Sequence, residues 1–501
     1  MRQSVLNLEP QALWSYFCQL NAIPRATCKE KNAANFILQV AAAKGLKTIQ
    51  DNAGNVLVLK PASEGMESYA PVALQAHLDM VHQKNAATVF DFDRQGIEMV
   101  VDGDWVKANG TTLGADNGIG VAAMLAILNS EELPHPPLQA LFTVGEEKGM
   151  TGAMKLQPDL LTAPTMLNLD TEEEGTLTIG CAGRVAIHAE ACYTEIPPPT
   201  YGLAFEITIS GLAGGHSGLD IHLGHGNAIK LLCKLLTAVS RQSEVWISSI
   251  SGGGLHNAIP REAKATVVVS DVYEFLEAVE LQAENMKRVF HTKDPAKSFS
   301  CLPVALPSGV MDKQSQKTLL HIINWLPDGL YALCSEIPGL VQTSNNLAVL
   351  ELDNGKYALQ CLTRSSLEVE KEKLAQAIER ALTAAGASVK LTGSYSGWIS
   401  NPDSPLVRHV AETYFRLFNK QPTITAIHAG LECGIIKGKY PDMEIVSLGP
   451  TILGAHSPEE RVQISSVQRF WQLLLAVLAQ PRYTLHPDKT DTSLLNAIKQ
   501  V

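Results

Sequence analysis

The sequence contains few charged residues and few aromatic residues, and these low contents exclude several classes of protein. Charged residues make up 18% of the 501 residues and aromatic residues 6%, whereas apolar residues make up 46%. This balance is typical of a globular protein and excludes a disordered chain. The net charge is −11 and no basic stripe carries interleaved aromatics, so a nucleic acid is not an expected partner.

Long apolar runs are also missing. No run approaches the roughly 20 apolar residues of a membrane span. The N-terminal segment lacks the apolar core of a secretion signal. We therefore expect no association with a membrane and a location in the cytoplasm.

Paired cysteines are absent as well. The nine cysteines are odd in number and include no CxxC motif, which favours free thiols in a reducing compartment over a disulfide framework. Cys181 and Cys433 lie near the motif loops described below and could be ligands. We favour the simpler interpretation, that both are small, buried, apolar side chains.

The length of the chain and its opening pattern predict more than one domain, the first of them α/β. A chain of 501 residues exceeds one ordinary core. From about residue 10 to 185, helical and strand patterns alternate, which indicates a largely parallel sheet. The predicted helices are 33–43 and 117–128, and the predicted strands are 55–59, 72–76, 138–144 and 166–169.

The middle of the chain has a different character. Residues 195–200 contain three consecutive prolines and predict a stiff turn close to a domain boundary. Beyond it, the patterns favour a smaller α+β domain with an antiparallel sheet. The predicted strands there are 205–209, 263–270 and 348–352, and the predicted helices are 227–239 and 275–287.

After about residue 394 the first pattern returns. Helices are predicted at 405–418 and 465–478 and a strand at 444–448. The simplest architecture is one domain interrupted by another, with an α/β domain formed by 1–188 and 394–501 and an insertion at 189–393. The tail after about residue 481 carries Pro, Thr, Asp and Lys, and we expect it to pack loosely.

Histidine and carboxylate side chains follow several predicted strands. In open α/β sheets the ligand crevice lies at the carboxyl ends of the strands. A surface acid or a helix cap is the more common explanation for any one of these residues, but their number favours one cluster. The candidates are His77 and Asp79, Asp116, Glu146 and Glu147, Asp170, and His456.

The charge of this cluster predicts metal ions. Lys and Arg are sparse in these segments, and three carboxylates with a hydroxide carry four negative charges, which two divalent ions would neutralise. Two metals about 3.5–4 Å apart form a known hydrolytic arrangement. Mixed His and carboxylate ligation suits zinc and admits manganese or cobalt. The adjacent Glu146 and Glu147 can supply one ligand and one uncoordinated carboxylate, although a solvated acidic turn is the alternative.

A second polar cluster is predicted in the middle domain. His216 lies in a Gly-Gly-His-Ser-Gly loop between a strand and a helix, where a donor imidazole could stabilise an oxyanion. His256 and Asn257 precede Ala-Ile-Pro in a similar loop. Arg364 could bind a substrate carboxylate with two parallel hydrogen bonds. Each of these residues alone is more often an ordinary surface or turn residue.

Taken together and in order, these motifs resemble a known family. The strings around residues 77–79, 114–118, 146–147, 170, 215–218 and 456 resemble the two-zinc metallopeptidases that include aminoacylase, carboxypeptidase G and tripeptidase. Longer strings at 75–81, 111–118, 257–263 and 427–434 resemble one branch, the bacterial aminoacyl-histidine dipeptidases. The resemblance covers nearly the whole chain apart from about the last twenty residues.

The resemblance implies a role for each candidate in the metal site. His77 and Asp170 would hold one zinc, Glu147 and His456 the other, and Asp116 would bridge both. Asp79 would orient His77, and Glu146 would be the general base and acid. The peptide bond between Asp116 and Asn117 would be cis.

The resemblance also implies that the inserted domain is a lid that dimerises. His216 would reach the scissile carbonyl and Arg364 the C-terminal carboxylate of the substrate, with Asn257 as a further substrate-binding residue. Whether His216 acts within its own chain or across a homodimer stays open.

Three functions agree with the sequence. The first is a two-zinc dipeptidase for Xaa-His and related dipeptides, including β-alanyl-histidine. The second keeps the site but changes the substrate, as in an aminoacylase, a deacetylase or a tripeptidase. The third is a non-catalytic peptide-binding protein on the same fold, which is disfavoured because every expected ligand is present.

Overall fold

Two units make up the protein, which is described by a computed structural model for residues 4–289 and 298–481. The main unit contains the chain up to Gly180, Trp398–Ala426 and the chain from Leu431, and the inserted unit contains Cys181–Gly397 and Ile427–Gly430. This division falls at 180/181 and 397/398, within eight residues of the predicted 188/189 and 393/394. The proline-rich turn at 195–200 lies within the inserted unit and does not separate the units.

The first part of the main unit alternates strands and helices as predicted. Its helices are α1 (Gln11–Asn21), α2 (Lys31–Ala43), α3 (Ala115–Asn129) and α4 (Thr151–Lys155). Its strands are β1 (Lys47–Gln50), β2 (Val56–Lys60), β3 (Val72–His77), β4 (Met99–Asp102), β5 (Trp105–Ala108), β6 (Leu138–Thr143), β7 (Thr165–Asn168) and β8 (Thr176–Cys181).

The inserted unit follows directly. Its strands are β9 (Gly183–Cys192), β10 (Glu195–Ile196), β11 (Leu203–Ser210), β12 (Val245–Gly253), β13 (Ala263–Val269), β14 (Ser298–Val304), β15 (Val310–Met311), β16 (Gly329–Leu333), β17 (Val341–Asp353), β18 (Lys356–Ser365) and β19 (Ser388–Tyr395). Its helices are α5 (Ala228–Val239), α6 (Val272–Val289), α7 (Lys313–Trp325) and α8 (Glu368–Ala384).

The chain then returns to the main unit. The helices of this last part are α9 (Pro405–Phe418), α10 (Glu432–Lys439) and α11 (Ile464–Ala479), and the strands are β20 (Thr423–Ile427), β21 (Glu444–Ser447), β22 (Ile452–Leu453) and β23 (Arg461–Gln463). The tail after residue 481, for which loose packing was predicted, lies outside the described residues. Among the described residues, no helix combines the length and apolar character that a membrane span requires.

An eight-stranded sheet with the order β1-β2-β6-β3-β7-β21-β8-β20 forms the centre of the main unit. Its four central strands β6, β3, β7 and β21 run parallel, as predicted. β1, β2 and β8 pair antiparallel towards its two ends. All residues of β3, β6 and β7 are buried, which explains their continuous apolar runs.

Helix α3 is buried along almost its whole length. The sequence predicts it at 117–128 from small apolar residues, and in the structure it runs over Ala115–Asn129 with non-helical backbone angles at Asp116 and Asn117. Gly114 caps its start with φ 72°, a left-handed conformation that glycine adopts without a steric penalty. The peptide bond between Asp116 and Asn117 is cis, as the resemblance implied.

The inserted unit is an antiparallel α+β domain. Nine strands form one sheet with the order β14-β11-β13-β12-β17-β18-β9-β19, in which β16 pairs with β17. Strand β9 pairs with β18 along its whole length, from Gly183 to Cys192. This pairing explains why the unit begins before the predicted boundary. Residues of α5, α6, α7 and α8 share one apolar core with the sheet.

Candidate metal centre

Three neighbouring strands of the main sheet deliver the first candidate residues. His77 ends β3, the two adjacent glutamates Glu146 and Glu147 follow β6, and Asp170 follows β7. β3 runs parallel to both neighbours, so these side chains stand at one edge of the sheet. Gly145 adopts a left-handed conformation (φ 65°) between β6 and the glutamates.

Asp116 and His456 come from outside these three strands. Asp116 lies in the first turn of α3, and His456 lies in the loop between β22 and β23. One carboxylate oxygen of Asp116 lies 3.1 Å from Nε2 of His77, and the other lies 3.1 Å from Nε2 of His456. The two oxygens of one carboxylate therefore face two different imidazoles, as a bridging ligand requires.

The structure brings all five predicted ligands together. Oδ1 of Asp170 lies 3.4 Å from Nε2 of His77, and Oε2 of Glu147 lies 2.9 Å from Nε2 of His456. In each group that could hold an ion, the ligand atoms lie within 4.8 Å of one another. The groups are His77 with Asp116 and Asp170, Asp116 with Glu147 and His456, and His77 with Glu146 and Glu147.

The donor set fits divalent cations. Imidazole nitrogens and carboxylate oxygens are ligands of zinc and related metals. Oε1 of Glu147 is buried and has no hydrogen-bond partner. A buried carboxylate oxygen without a partner is costly unless a cation compensates it.

The electrostatics of the cluster also favour cations. Hydrogen bonds to Asp116 and Glu147 raise the pKa of His456 to about 11. Burial alone would raise the pKa of Asp116, but the hydrogen bonds from His456 and His77 hold it well below its ordinary value. The acids thus bind positive charge strongly, here as protons on the imidazoles.

Asp79 supports both the imidazole and the glutamate pair. Its backbone oxygen lies 3.0 Å from Nδ1 of His77. Its carboxylate accepts hydrogen bonds of 3.1 Å from the backbone N–H groups of Glu146 and Glu147. Asp79 is fully buried. It can therefore hold His77 with Nε2 directed at the cluster and fix the turn that carries the glutamates.

Two of these groups share Asp116, and each of them has three ligands without Glu146. Glu146 is therefore a carboxylate of the cluster that neither of these two groups needs. It is partly buried, and burial raises the pKa of its carboxyl well above the ordinary value, with Asp170 and Glu432 acting in the same direction. Bound cations would oppose this shift. A carboxylate beside a metal pair, and not needed as a ligand, is suited to proton transfer.

Sequence reasoning did not assign a role to Glu432, which lies behind the cluster at the start of α10. Its carboxylate accepts hydrogen bonds from Nε2 of Gln75 (2.7 Å) and Oγ1 of Thr143 (2.6 Å), and burial raises its pKa to about 7. Gln75 and Thr143 belong to β3 and β6, so Glu432 ties together the strands that end at His77 and at the glutamates. A lone acid among small and apolar residues at 430–436 was the available signal.

Neither candidate cysteine joins the centre. Cys181 and Cys433 are both buried, at 1% and 0% exposure. No group of described residues that could hold a metal includes either of them. Their burial agrees with the interpretation that they are small apolar side chains.

His216 lies in a loop of the inserted unit. Its Nδ1 accepts hydrogen bonds from the backbone N–H groups of Gly218 (3.2 Å) and Leu219 (3.0 Å). Since Nδ1 is an acceptor, the proton of the neutral ring is on Nε2. Burial and the charge of Arg364 lower the pKa of His216, which favours this neutral donor form.

The other substrate-binding candidates also lie in the inserted unit. The carbonyl of Asn257 accepts a hydrogen bond of 2.8 Å from the N–H of Ser217, so the loop of Asn257 holds the loop of His216. Arg364 is 3% exposed and lies directly opposite Arg184 on the neighbouring strand β9. The Nε atoms of both arginines are buried without a hydrogen-bond partner. Nη1 of Arg184 lies 3.3 Å from Nε2 of His256.

Comparison with known proteins now agrees with this geometry. The model of peptidase family M20/M25/M40 matches residues 73–480. The chain belongs to this family. It is also 42% identical to the cytosol non-specific dipeptidase of Escherichia coli over 94% of this chain and 98% of that protein.

Solved structures agree with the family assignment. The aminoacylhistidine dipeptidase of Vibrio alginolyticus superposes with a TM-score of 0.91 at 37% identity, over 96% of this chain and 98% of that one. A tripeptidase of Staphylococcus aureus superposes with a TM-score of 0.55 at 18% identity, over 94% and 98% of the two chains, and shares the fold alone. The predicted M20 fold, with an α/β domain and an inserted antiparallel domain, is confirmed.

Proposed function

We propose that the protein is a metal-dependent dipeptidase that hydrolyses Xaa-His and related dipeptides, including β-alanyl-histidine. Membership of the M20 peptidases supports the reaction class. The names of two similar proteins, a cytosol non-specific dipeptidase and an aminoacylhistidine dipeptidase, support the substrate class. Both similarities extend over more than nine-tenths of each chain.

One observation carries the proposal. Two groups of ligand atoms share the carboxylate of Asp116, and Glu146 stands beside them without being needed by either group. This arrangement suits a pair of divalent cations with an adjacent proton-transfer group. A scaffold protein that only bound peptides would gain nothing from it.

Each candidate residue of the main unit would have a separate role in the metal centre. His77 and Asp170 would hold one zinc ion, Glu147 and His456 would hold the second, and Asp116 would be the ligand shared by both. Manganese or cobalt would fit the same donors. When bound, such a pair polarises a carbonyl and acidifies water.

Glu146 moves the proton. Its carboxylate accepts a proton from the attacking water and returns it to the departing amine nitrogen, so one group serves first as base and then as acid. Asp79 fixes the backbone of Glu146 through its N–H, which keeps the carboxyl in place during both transfers.

The inserted unit supplies groups for the substrate. His216 donates from Nε2 to the oxygen of the scissile carbonyl as negative charge develops there. Arg364 binds the C-terminal carboxylate of the dipeptide through two parallel N–H groups. Asn257 positions the His216 loop through its carbonyl and offers its amide to the substrate.

A substrate panel tests the proposal. The protein is stripped with a chelator, reloaded with Zn²⁺, Mn²⁺ or Co²⁺, and assayed on Xaa-His dipeptides, β-alanyl-histidine, N-acyl amino acids and tripeptides. We expect about two metals per chain, loss of activity on stripping, and the highest kcat/KM on dipeptides. Higher kcat/KM on N-acyl amino acids or tripeptides would replace the proposal with the second class of function. Absence of metal binding would remove it.

We also propose a cytoplasmic homodimer assembled through the inserted unit. The name of the Escherichia coli relative supports the location. Strand β14 pairs only with β11 among the described strands, and Leu302 on it is 61% exposed. The exposed apolar side chains of Leu302 and Val304 on this strand favour a protein partner. Sedimentation equilibrium with Leu302→Lys tests it, and an unchanged dimer in that variant would contradict the use of β14.

A further inference from the structure

Glu460 is a buried carboxylate with an unusual set of hydrogen-bond donors. It is 2% exposed and follows His456 by one short turn. Four successive backbone N–H groups donate to it: Leu113 (2.7 Å) and Gly114 (2.9 Å) to Oε2, and Ala115 (2.7 Å) and Asp116 (3.2 Å) to Oε1. The N–H groups of Gly114, Ala115 and Asp116 lie at the start of α3, where backbone donors have no partner within the helix.

The carbonyl groups of the same loop are held from another direction. Nη2 of the fully buried Arg25 donates to the oxygen of Gly114 at 2.6 Å, and Nδ2 of Asn21 donates to the oxygen of Leu113 at 2.9 Å. Arg25 also donates to the backbone oxygen of Leu78 at 3.1 Å, next to His77. Buried side chains therefore hold both the N–H groups and the carbonyl groups of the loop that carries Asp116.

Glu460 also belongs to the segment that carries His456. The N–H of Glu460 donates to the oxygen of Ser457 at 3.1 Å, and the N–H of Ser457 donates to the oxygen of Gly454 at 3.2 Å. The turn that presents His456 thus ends in a carboxylate bound to the backbone of Asp116. The short segment from His456 to Glu460 therefore connects a proposed ligand of one metal to Asp116, the proposed ligand of both.

We propose that Glu460 is a positioning residue of the metal centre, which fixes the carboxylate of Asp116 relative to the imidazole of His456. The inference rests on the proposed metal-dependent function. A hydrogen bond from a backbone N–H to a carboxylate is stronger than one to a neutral oxygen, and four of them on one side chain leave the loop little freedom.

The matched test uses Glu460→Gln and Glu460→Asp, with Glu459→Gln as control, since Glu459 is the exposed neighbour. Glutamine keeps the size of the side chain but offers one acceptor oxygen where the carboxylate offers two. The dissociation constants for Co²⁺ are measured on the metal-stripped protein by visible absorption, together with kcat and KM for a dipeptide.

We expect Glu460→Gln to weaken one or both Co²⁺ sites by about 10–100-fold, the usual effect of losing a group that orients metal ligands. Its kcat at saturating metal should fall while KM for the dipeptide changes little, because Glu460 does not contact substrate. Glu460→Asp should show the same defect more weakly, and Glu459→Gln should match the parent.

Unchanged Co²⁺ constants and kcat in Glu460→Gln would overturn the inference, even if the variant unfolds at a lower temperature, because Glu460 would then only stabilise the fold. If Glu460→Gln does not fold, the same criteria apply to Glu460→Asp. Failure of the proposed function would appear differently, as a parent protein that binds no metal or hydrolyses no dipeptide.

Discussion

The polar clusters of the two units carry opposite charge. In the main unit, carboxylates surround two imidazoles and hold the pKa of His456 at about 11. In the inserted unit, two arginines lie opposite each other on adjacent strands, and burial together with Arg364 lowers the pKa of the nearby His428 to about 3. One cluster draws positive charge to itself, and the other repels it.

This difference supports the proposal that the two clusters bind ligands of opposite charge. A cluster of acids is stabilised by cations, and two adjacent arginines whose Nε atoms are buried without a hydrogen-bond partner are stabilised by an anion. A dipeptidase requires both, because metals act on the peptide bond while the C-terminal carboxylate of the substrate needs a cationic partner. The first two variants below each test one cluster, and the third tests a buried acid elsewhere in the inserted unit.

The largest effect is expected for Glu146→Gln in the main unit. Removal of a general base typically costs about 10²–10⁴-fold in rate. We expect kcat to fall by this factor while both metals stay bound, because glutamine cannot accept the proton and the five ligands are unchanged. Steady-state kinetics with metal analysis of the same samples measures this.

The exposed Glu173 provides the control, since Glu173→Gln alters an acid of the same unit outside the cluster. A Glu146→Gln variant with kcat within tenfold of the parent would show that Glu146 is not the proton-transfer group.

A smaller effect is expected for Arg364→Lys in the inserted unit. Lysine keeps the charge but cannot present two parallel N–H groups to a carboxylate. A hydrogen bond to a charged group contributes about 1.5–3 kcal/mol, so KM should rise roughly 10–100-fold with a smaller change in kcat. KM is measured for a dipeptide and for the same dipeptide with a C-terminal amide. Only the parent should strongly prefer the substrate with the free carboxylate.

Arg380→Lys, on the exposed face of α8, controls for a general effect of the substitution. If the parent and Arg364→Lys prefer the dipeptide over its amide to the same extent, the assignment of Arg364 to the substrate carboxylate is contradicted.

The smallest effect concerns the stability of the inserted unit and leaves activity at 25 °C unchanged. Burial raises the pKa of Asp328 to about 6, although the N–H of Leu347 and the amide of Asn227 donate to it. A carboxyl group whose pKa is raised by folding adds to the free energy of unfolding below pH 4, where it is protonated. This contribution is lost as the pH rises through about 6. The asparagine of Asp328→Asn keeps an acceptor oxygen but cannot ionise, so the variant does not lose this stability as the pH rises.

We therefore expect the free energy of unfolding of Asp328→Asn to exceed that of the parent at pH 7.5 by about 1–3 kcal/mol and to match it at pH 4. Urea unfolding at both pH values measures the difference, with the exposed Asp353→Asn as control. A difference that does not change between the two pH values would show that ionisation of Asp328 is not its source.

The sequence predicted the buried elements of the main unit well. The strands that become β3, β6 and β7 are short apolar runs bounded by turns, and all their residues are buried. The antiparallel inserted domain was also predicted, but its longest strand, β17, was recognised only in part, at 348–352. Polar residues at 342–346 break the alternating pattern there, since Asn345 and Asn346 are buried in a polar network and not in an apolar core.

The position of the first boundary could not be read from local composition. Three prolines mark a stiff turn, but β9 precedes them and pairs with β18, more than 160 residues further along the chain. The proposed roles of Asp116 and His456 stay predictions, although the structure places the two residues within 3.1 Å. Glu432 was missed although it is a lone acid among small and apolar residues, and Glu460 was missed because nothing in its local sequence distinguishes it from the exposed Glu459.

The sequence by itself determined the kinds of residue that end each strand, because apolar periodicity and turn residues are local properties of the chain. Family membership followed from the order of those motifs and is confirmed. Only the tertiary structure decided which acids lie together, which acid binds the backbone of Asp116 from 344 positions away, and where the units divide. The physical reason is that strand order and loop closure bring distant residues together, and neither is encoded in any short stretch of sequence.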